Sequence, residues 1–314
     1  MGLTALAAVA LAAALDATVG EFPGRVHPVA LFGRLVARVD RAWTRPRLAG
    51  AAVAVAFPLA AAGVAWGGVA AVGRLAGAVA GVGLPGGPLA AAATAVVAGV
   101  ALFATTSLRM LVGAARDVVA DSERDPEAAR AASLALVGRD TDSLSPGELR
   151  SAAVESAAEN LADGLVAPLL AFALGAQLSV AVGVACAAWV KAVNTLDSML
   201  GYPDKPHGTA AARLDDAAMW LPARVSAAAL AVAGRSPAAL ATARRWARLP
   251  ASPNSGWPMA TTAAVLDSRL AKRGHYDLNP DAALPSVDRA EAGVRTVAVA
   301  GWLSFCCAGV AAWL

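Results

Sequence analysis

Glu155 and Glu159 stand four residues apart, a spacing that puts two carboxylates on one helix face, and Asp163 carries the stripe a turn further. Like charges so spaced repel. The stripe therefore asks for a cation: a basic substrate group, or Mg²⁺ with a phosphate, because hard divalent ions take carboxylate oxygens and keep positions for water and phosphate. Asn160 adds an amide beside them. A second stripe, Lys191, Asn194, Thr195 and Ser198, recurs at three or four residues, with Asp197 next to it. One cation among amide and hydroxyl groups suits phosphate or amide recognition. Downstream stand Arg213, the pair Asp215 and Asp216, and Arg224: two more cations, and two carboxylates able to hold a metal ion. Near the start, Asp16 closes an apolar stretch and His27-Pro28 opens the next; imidazole is the commonest side-chain general base. Ser252-Pro253-Asn254-Ser255-Gly256-Trp257-Pro258 reads as a rigid turn offering hydroxyl and amide groups to a ligand's oxygens. Arg139-Asp140-Thr141 precedes the carboxylate stripe. Taken singly, each group has a blander reading: a solvated acidic face, a snorkelling lysine, a surface turn.

The setting makes these groups conspicuous. Of 314 residues 58% are hydrophobic and only 16% charged, and the mean hydropathy is +0.57. Alanine inflates such a mean, so run length decides. A hydrocarbon core needs about 20 mainly apolar residues in a helix, and residues 50–72, 88–108, 165–190 and 294–314 meet that length, with Leu3–Val19 a shorter fifth run. Glycines such as Gly63, Gly67 and Gly68 allow close packing where lipid removes the hydrophobic attraction between helices. The expectation is an all-α, polytopic helical membrane protein with about four to six membrane helices, located in the cell membrane. It would form one integral membrane domain over 1–314, with polar helical segments at about 109–163 and 191–293. Polar groups interrupting such a chain are costly unless they face water, each other or a ligand.

No Lys or Arg precedes the first apolar run, so it lacks the basic region of a cleaved signal and reads as a helix. Six Arg and two acidic residues between Gly20 and Gly50 place that loop on the cytoplasmic side, so the first helix runs from outside to inside. A Gly/Pro turn over Gly81–Pro88 joins the next two spans. The segment 109–163 then lies in the cytoplasm, with helix starts at Asp125-Pro126-Glu127 and Ser145-Pro146-Gly147-Glu148. If 165–190 crossed as one straight helix, Lys191 would lie on the opposite side from Glu155 and Asn160, about 46 Å away at 1.5 Å per residue. The favoured alternative is a kinked or re-entrant pair broken at Gly164 and Pro168. Residues 221–234 are too short to span and are expected at the interface.

Several classes fall away. No basic block suggests nucleic acid, and there is neither a phosphate-loop motif nor a nucleophile elbow. Cys186, Cys306 and Cys307 sit in apolar runs without metal-ligand spacing. Polar residues gather at the ends of runs rather than mid-span, where carriers bind their cargo. In order and spacing, DATVGEFPGRVHPVALFGRL, GRDTDSLS, AAVESAAENLADGLVAPLL, KAVNTLDSMLGY, ARLDDAAMWLPAR and SPNSGWPMA resemble the CobD/CbiB family of integral membrane adenosylcobinamide-phosphate synthases. One position departs: Met219 stands where the family usually has Asn.

The resemblance implies cobalamin biosynthesis: ATP-dependent amide formation between adenosylcobyric acid and (R)-1-amino-2-propanol O-phosphate, or a related amino alcohol. It implies ATP and Mg²⁺ as substrate and metal, a corrinoid as substrate, and no tightly bound cofactor. Expected partners are the two organic substrates, membrane lipid and other corrinoid-pathway enzymes, with no nucleic acid. On this reading Glu155, Glu159, Asp216 and His27 are catalytic, and Asp215, Asp216 and Glu159 hold the metal. Substrate contacts fall to Asp16, Asn160, Asp163, Lys191, Asn194, Thr195, Asp197, Ser198, Arg213, Arg224, Ser252 and Asn254. A noncatalytic membrane sensor or accessory protein on the same scaffold is the alternative.

Overall fold

The computed structural model describes residues 1–79, 87–134, 136 and 143–314. Along the chain come α1 (Gly2–Thr18), α2 (Pro28–Ala37), α3 (Pro46–Val79), α4 (Pro88–Phe103), α5 (Leu108–Asp121), α6 (Pro126–Ser133) and α7 (Pro146–Leu161). A π-helical turn, Ala162–Val166, leads into α8 (Ala167–Ala176) and then α9 (Val180–Leu200). A 3₁₀ turn, Pro206–Gly208, precedes α10 (Thr209–Ala218), α11 (Trp220–Ala233), α12 (Ala239–Ala243) and α13 (Gly256–Leu266). Two strands, β1 (Leu270–Lys272) and β2 (Tyr276–Leu278), come before α14 (Val287–Trp313).

The protein is a polytopic helical membrane protein. Among the described residues, five helices are long and apolar enough to cross a membrane: Pro46–Val79, Pro88–Asp121, Pro146–Ala176, Val180–Leu200 and Val287–Trp313. Helix α1 is apolar but shorter. Within the polar stretch 191–293, between α13 and α14, lies the short antiparallel β1–β2 hairpin. The expected turn at 81–88 falls mostly outside the described residues, and Arg139-Asp140-Thr141 falls wholly outside them.

The chain divides into two compact units. The first comprises Met1–Ser107, Ala167–Ala218 and Phe305–Leu314. In it α1 packs on α4, α3 on α4 and α9, and α8 on α9. The apolar run 165–190 is no single helix. It stops at Ala176, turns at Gln177–Ser179 and returns as α9, whose first turn is capped by the Ser179 hydroxyl accepting from Val182 N–H at 3.2 Å. Close approach holds the two legs together. A Cβ on Gly175 would lie 2.9 Å from Gly183 Cα, and one on Gly183 would lie 2.8 Å from the Phe172 carbonyl. Gly164 lies in the π turn and Pro168 begins α8 without ending the helical segment, so the reversal comes ten residues later than expected. The apolar core beneath α2 gathers Val36, Ala54, Leu196, Leu200 and Ala211.

The second unit comprises Leu108–Val166 and Met219–Ser304. Both predicted helix starts are present. Asp125 accepts from Ala128 N–H at 3.0 Å with Pro126 at N1, and Glu148 accepts from Ser145 N–H at 2.9 Å and from its hydroxyl at 2.6 Å. Arg150, nearly buried on α7, donates to the Pro285 carbonyl at 2.7 Å, Ser122 Oγ at 3.1 Å and Glu123 at 2.9 Å. It ties three segments of this unit to one guanidinium. Helix α11 buries Pro222, Ser226 and Leu230, packs on α13, and leaves Trp220, Val225 and Val232 exposed.

Candidate functional site

The residues singled out above divide between the two units. In the second unit, α7 presents the carboxylate stripe. Glu155 is 3% exposed and accepts from Ser151 Oγ at 2.6 Å and from Tyr276 OH at 2.7 Å. Each of its carboxylate oxygens thus takes a hydroxyl proton, which is how a buried carboxylate keeps its hydrogen bonds. Glu159 is half-buried and interacts electrostatically with Glu155 and with Lys272 of β1. Asn160 is exposed and donates to its own helix at the Ser156 carbonyl, 2.9 Å away. Asp163 sits half-buried in the π turn, a distortion common at functional sites in helices.

In the same unit, Arg224 and the 252–258 turn form one assembly. The Arg224 guanidinium lies 4.8 Å from the Trp220 ring and 5.2 Å from the Trp257 ring. It donates to Asn254 Oδ1 and, at 3.3 Å, to the Pro253 carbonyl. Ser252 Oγ accepts from Asn254 N–H at 3.2 Å. Burial, followed by the nearby charge of Arg248, pulls the Arg224 guanidinium below its ordinary value. This cation carries a second positive charge beside it and is clamped by aromatic faces, so the assembly favours an anion while fixing the turn.

In the first unit, the α9 stripe meets α10. Thr195 Oγ1 donates to the Lys191 carbonyl at 2.8 Å and Ser198 Oγ to the Asn194 carbonyl at 2.9 Å, so both hydroxyl protons are turned back to the helix and the oxygens face outward as acceptors. Asp197 is within electrostatic reach of Asp216, and its carboxylate abuts Gly201, where any side chain would displace it. Asp215 and Asp216 are half-buried, Arg213 is exposed, and Asp16 is fully buried at the end of α1. A groove of about 540 Å³ runs between α2, α3, the end of α4 and α9; its wall is apolar except for Lys191, Thr195 and Thr105.

His27 caps α2, its Nδ1 accepting from Val29 N–H at 3.1 Å, with Nε2 3.6 Å from Glu21. The cap assigns the neutral ring's proton to Nε2, so His27 gains a lone pair for base chemistry only when that cap opens. Among the described residues no group of three or more His, Cys, Asp or Glu is placed to hold a metal ion. A Mg²⁺ ion carried by a nucleotide needs only one or two protein oxygens, its other ligands being phosphate and water.

Ser151, Tyr276 and Lys272 were missed by sequence reasoning. Tyr276 is one of only two tyrosines and Lys272 one of three lysines, which was the available signal.

The profile of the CobD/Cbib protein family matches residues 9–302. The chain belongs to the CobD/CbiB family. It is 35% identical over 276 residues to the probable cobalamin biosynthesis protein CobD of Methanothrix thermoacetophila, covering 85% of this chain and 84% of that protein. Against the cobalamin biosynthesis protein CobD of Mycobacterium tuberculosis it is 38% identical over 275 residues, 84% and 80% of the two chains. The CobD of Geobacter metallireducens is 35% identical over 283 residues, 86% and 82%. No solved structure matches. CobD/CbiB membership assigns the chain to cobalamin biosynthesis, and the segments that carry the resemblance include α7, α9, α10 and the turn before α13.

Proposed function

We propose that this CobD/CbiB chain is an ATP-dependent acid–amine ligase that joins the propionate of adenosylcobyric acid to (R)-1-amino-2-propanol O-phosphate, or a related amino alcohol, giving adenosylcobinamide phosphate. The observation that carries the reading is the α7 stripe, in which Glu155 accepts two hydroxyl protons while Glu159, a turn away, is within electrostatic reach of Lys272. A carboxylate is a poor electrophile near neutral pH. Transfer of the ATP γ-phosphoryl group to it gives an acyl phosphate and ADP; the amine nitrogen then bonds to the acyl carbon, phosphate leaves, and the amine's proton passes to a base. Mg²⁺ carried on ATP would neutralise charge on the phosphates, and the adjacent pair Asp215 and Asp216 would lend it a carboxylate. Lys191, Arg213 and Arg224 supply cations for anionic groups, and Asn194 and Thr195 supply an amide and a hydroxyl acceptor.

The test is an amidation assay on detergent-purified protein with adenosylcobyric acid, Mg-ATP and aminopropanol phosphate, following cobinamide phosphate by mass spectrometry. Product that requires all three substrates is expected. Glu159→Gln and Asp216→Asn are each expected to lower the rate by at least about a hundredfold, the usual scale for losing a positioned acid–base group. Folded protein that makes no product with any amino alcohol sinks the ligase reading in favour of the sensor.

A further inference from the structure

The β1–β2 hairpin delivers two unassigned side chains to the carboxylate stripe. Ala271 N–H donates to Ser151 Oγ at 2.8 Å, Ser151 donates to Glu155 at 2.6 Å, and Tyr276 OH donates to the other oxygen of Glu155 at 2.7 Å. Buried Glu155 thereby fastens both strands to α7. Lys272 pairs with Tyr276 in the hairpin register. Residues directly opposed in an antiparallel pair project on the same face, with Cβ atoms about 5 Å apart. Since Tyr276 reaches the α7 stripe at Glu155, Lys272 is carried toward the same stripe, where it interacts with Glu159 one helical turn on.

A half-buried carboxylate within electrostatic reach of a half-buried ammonium complements a small molecule with charges in the opposite order. We propose that Glu159 and Lys272 form the subsite for a zwitterionic amine phosphate, Glu159 pairing with its ammonium and Lys272 with its phosphate, while Tyr276 is a positioning residue acting through Glu155. The inference rests on the ligase reading for its biological substrate, but not for its test. A lone carboxylate stripe would attract the amine and repel the phosphate; the hairpin lysine is what makes the whole molecule acceptable.

Three lysines make the test direct, because Lys191, Lys205 and Lys272 are the only side-chain amines in the chain. Detergent-purified protein is acetylated with an amine-reactive reagent and the extent at each lysine is read by peptide mass spectrometry, alone and with aminopropanol phosphate, aminopropanol, inorganic phosphate or Mg-ATP. Aminopropanol phosphate is expected to protect Lys272 several-fold and leave Lys205 unchanged, with aminopropanol and inorganic phosphate weaker. In the amidation assay Lys272→Met is expected to raise KM for the amine phosphate at least about tenfold, as loss of a charge-assisted contact does, with Lys272→Arg restoring most of it. Tyr276→Phe is expected to raise the same KM while leaving KM for ATP unchanged, a selectivity that loss of a merely structural bond does not give. Equal labelling of Lys272 with and without aminopropanol phosphate overturns the proposal, as does protection by Mg-ATP alone. If wild-type protein forms no amide but Lys272 is still protected, the ligase reading fails and the subsite stands.

Discussion

At the scale of single residues, a buried position explains more than a polar one. Met219, the position noted above as departing from the resemblance, is 2% exposed and stands just before α11. Met219→Asn gives up roughly 1.5–3 kcal/mol of apolar burial and regains about 1 kcal/mol if the amide caps the helix. A Tm a few degrees lower with activity kept is therefore expected in the amidation assay and a thermal melt; a severe loss of activity would mean that packing around α11 has diverged from the family. The candidate residues were legible because polar groups are rare in this chain and their helical spacing survives in the sequence. Tyr276, Lys272 and Ser151 were not, because their partnership spans 121 residues between Glu155 and Tyr276 and rests on strands of three residues, too short to show alternation. Arg224 was read as a cation for substrate; its two ring contacts and its bond to Asn254 show a clamp as well, and no spacing rule announces that.

At the scale of elements, long apolar runs predicted helices well and reversals poorly. Within 165–190 the polar residues are Gln177 and Ser179, and these are where the chain turns. A Ser cap inside an apolar run was thus the overlooked signal, outweighed by Gly164 and Pro168, which a helix tolerates when a π turn or a first-turn position accommodates them. The hairpin depends on its glycines. Gly183→Val places its side chain against the Phe172 carbonyl and the Ala176 amide, at Cβ distances of 2.8 and 3.1 Å. Overpacking of this kind costs about 1–3 kcal/mol, so a lower Tm and reduced folded yield are expected on size-exclusion chromatography, and an unchanged melt would mean that the two legs are not in contact. The end of α2 depends instead on charge. Asp40 accepts from Lys205 at 2.7 Å and lies 2.9 Å from His207, and these partners, Lys205 first, hold its carboxyl below the usual value despite some desolvation. A carboxyl lowered by folding contributes stability fully above its unfolded value, near 4, and loses it as pH falls through the folded value. The pair is substantially exposed, so Asp40→Asn is expected to cost under about 1 kcal/mol. Melts from pH 7 downward are expected to run at a constant offset between variant and wild type until about pH 4 and to converge below it; an offset that persists in acid would assign the loss to packing.

At the scale of the molecule, the first unit alone argues for a topology. Gln177 in the α8–α9 turn donates to the Ala311 carbonyl at 2.7 Å, and a Cβ on Gly2 would lie 3.1 Å from the Trp313 ring. The start of α1, the α8–α9 turn and the end of α14 therefore lie at one end of this unit. Asp16 lies 14 residues from Gly2 along α1 and Lys191 12 residues past Ser179 along α9, so both sit roughly 20 Å from that end at 1.5 Å per residue. Buried Asp16 and the polar stripe of α9 thus share the opposite end, which is also where α3 begins after the loop carrying six arginines. The positive-inside rule makes that end cytoplasmic. Crossing inward by α1, outward by α3, inward by the Pro88–Asp121 span, outward by the Pro146–Ala176 span and inward by α9 brings the polar stripe back to the arginine side, and α14 ends outside. The expected outcome is that a cysteine introduced at Gln177 or Leu314, in a variant lacking Cys186, Cys306 and Cys307, reacts with an impermeant maleimide on intact cells. One introduced at Arg41 is expected to react only after lysis. Labelling of Arg41→Cys on intact cells would turn the protein over, placing the stripe away from cytoplasmic ATP, and the ligase reading would then have no source for its phosphoryl donor.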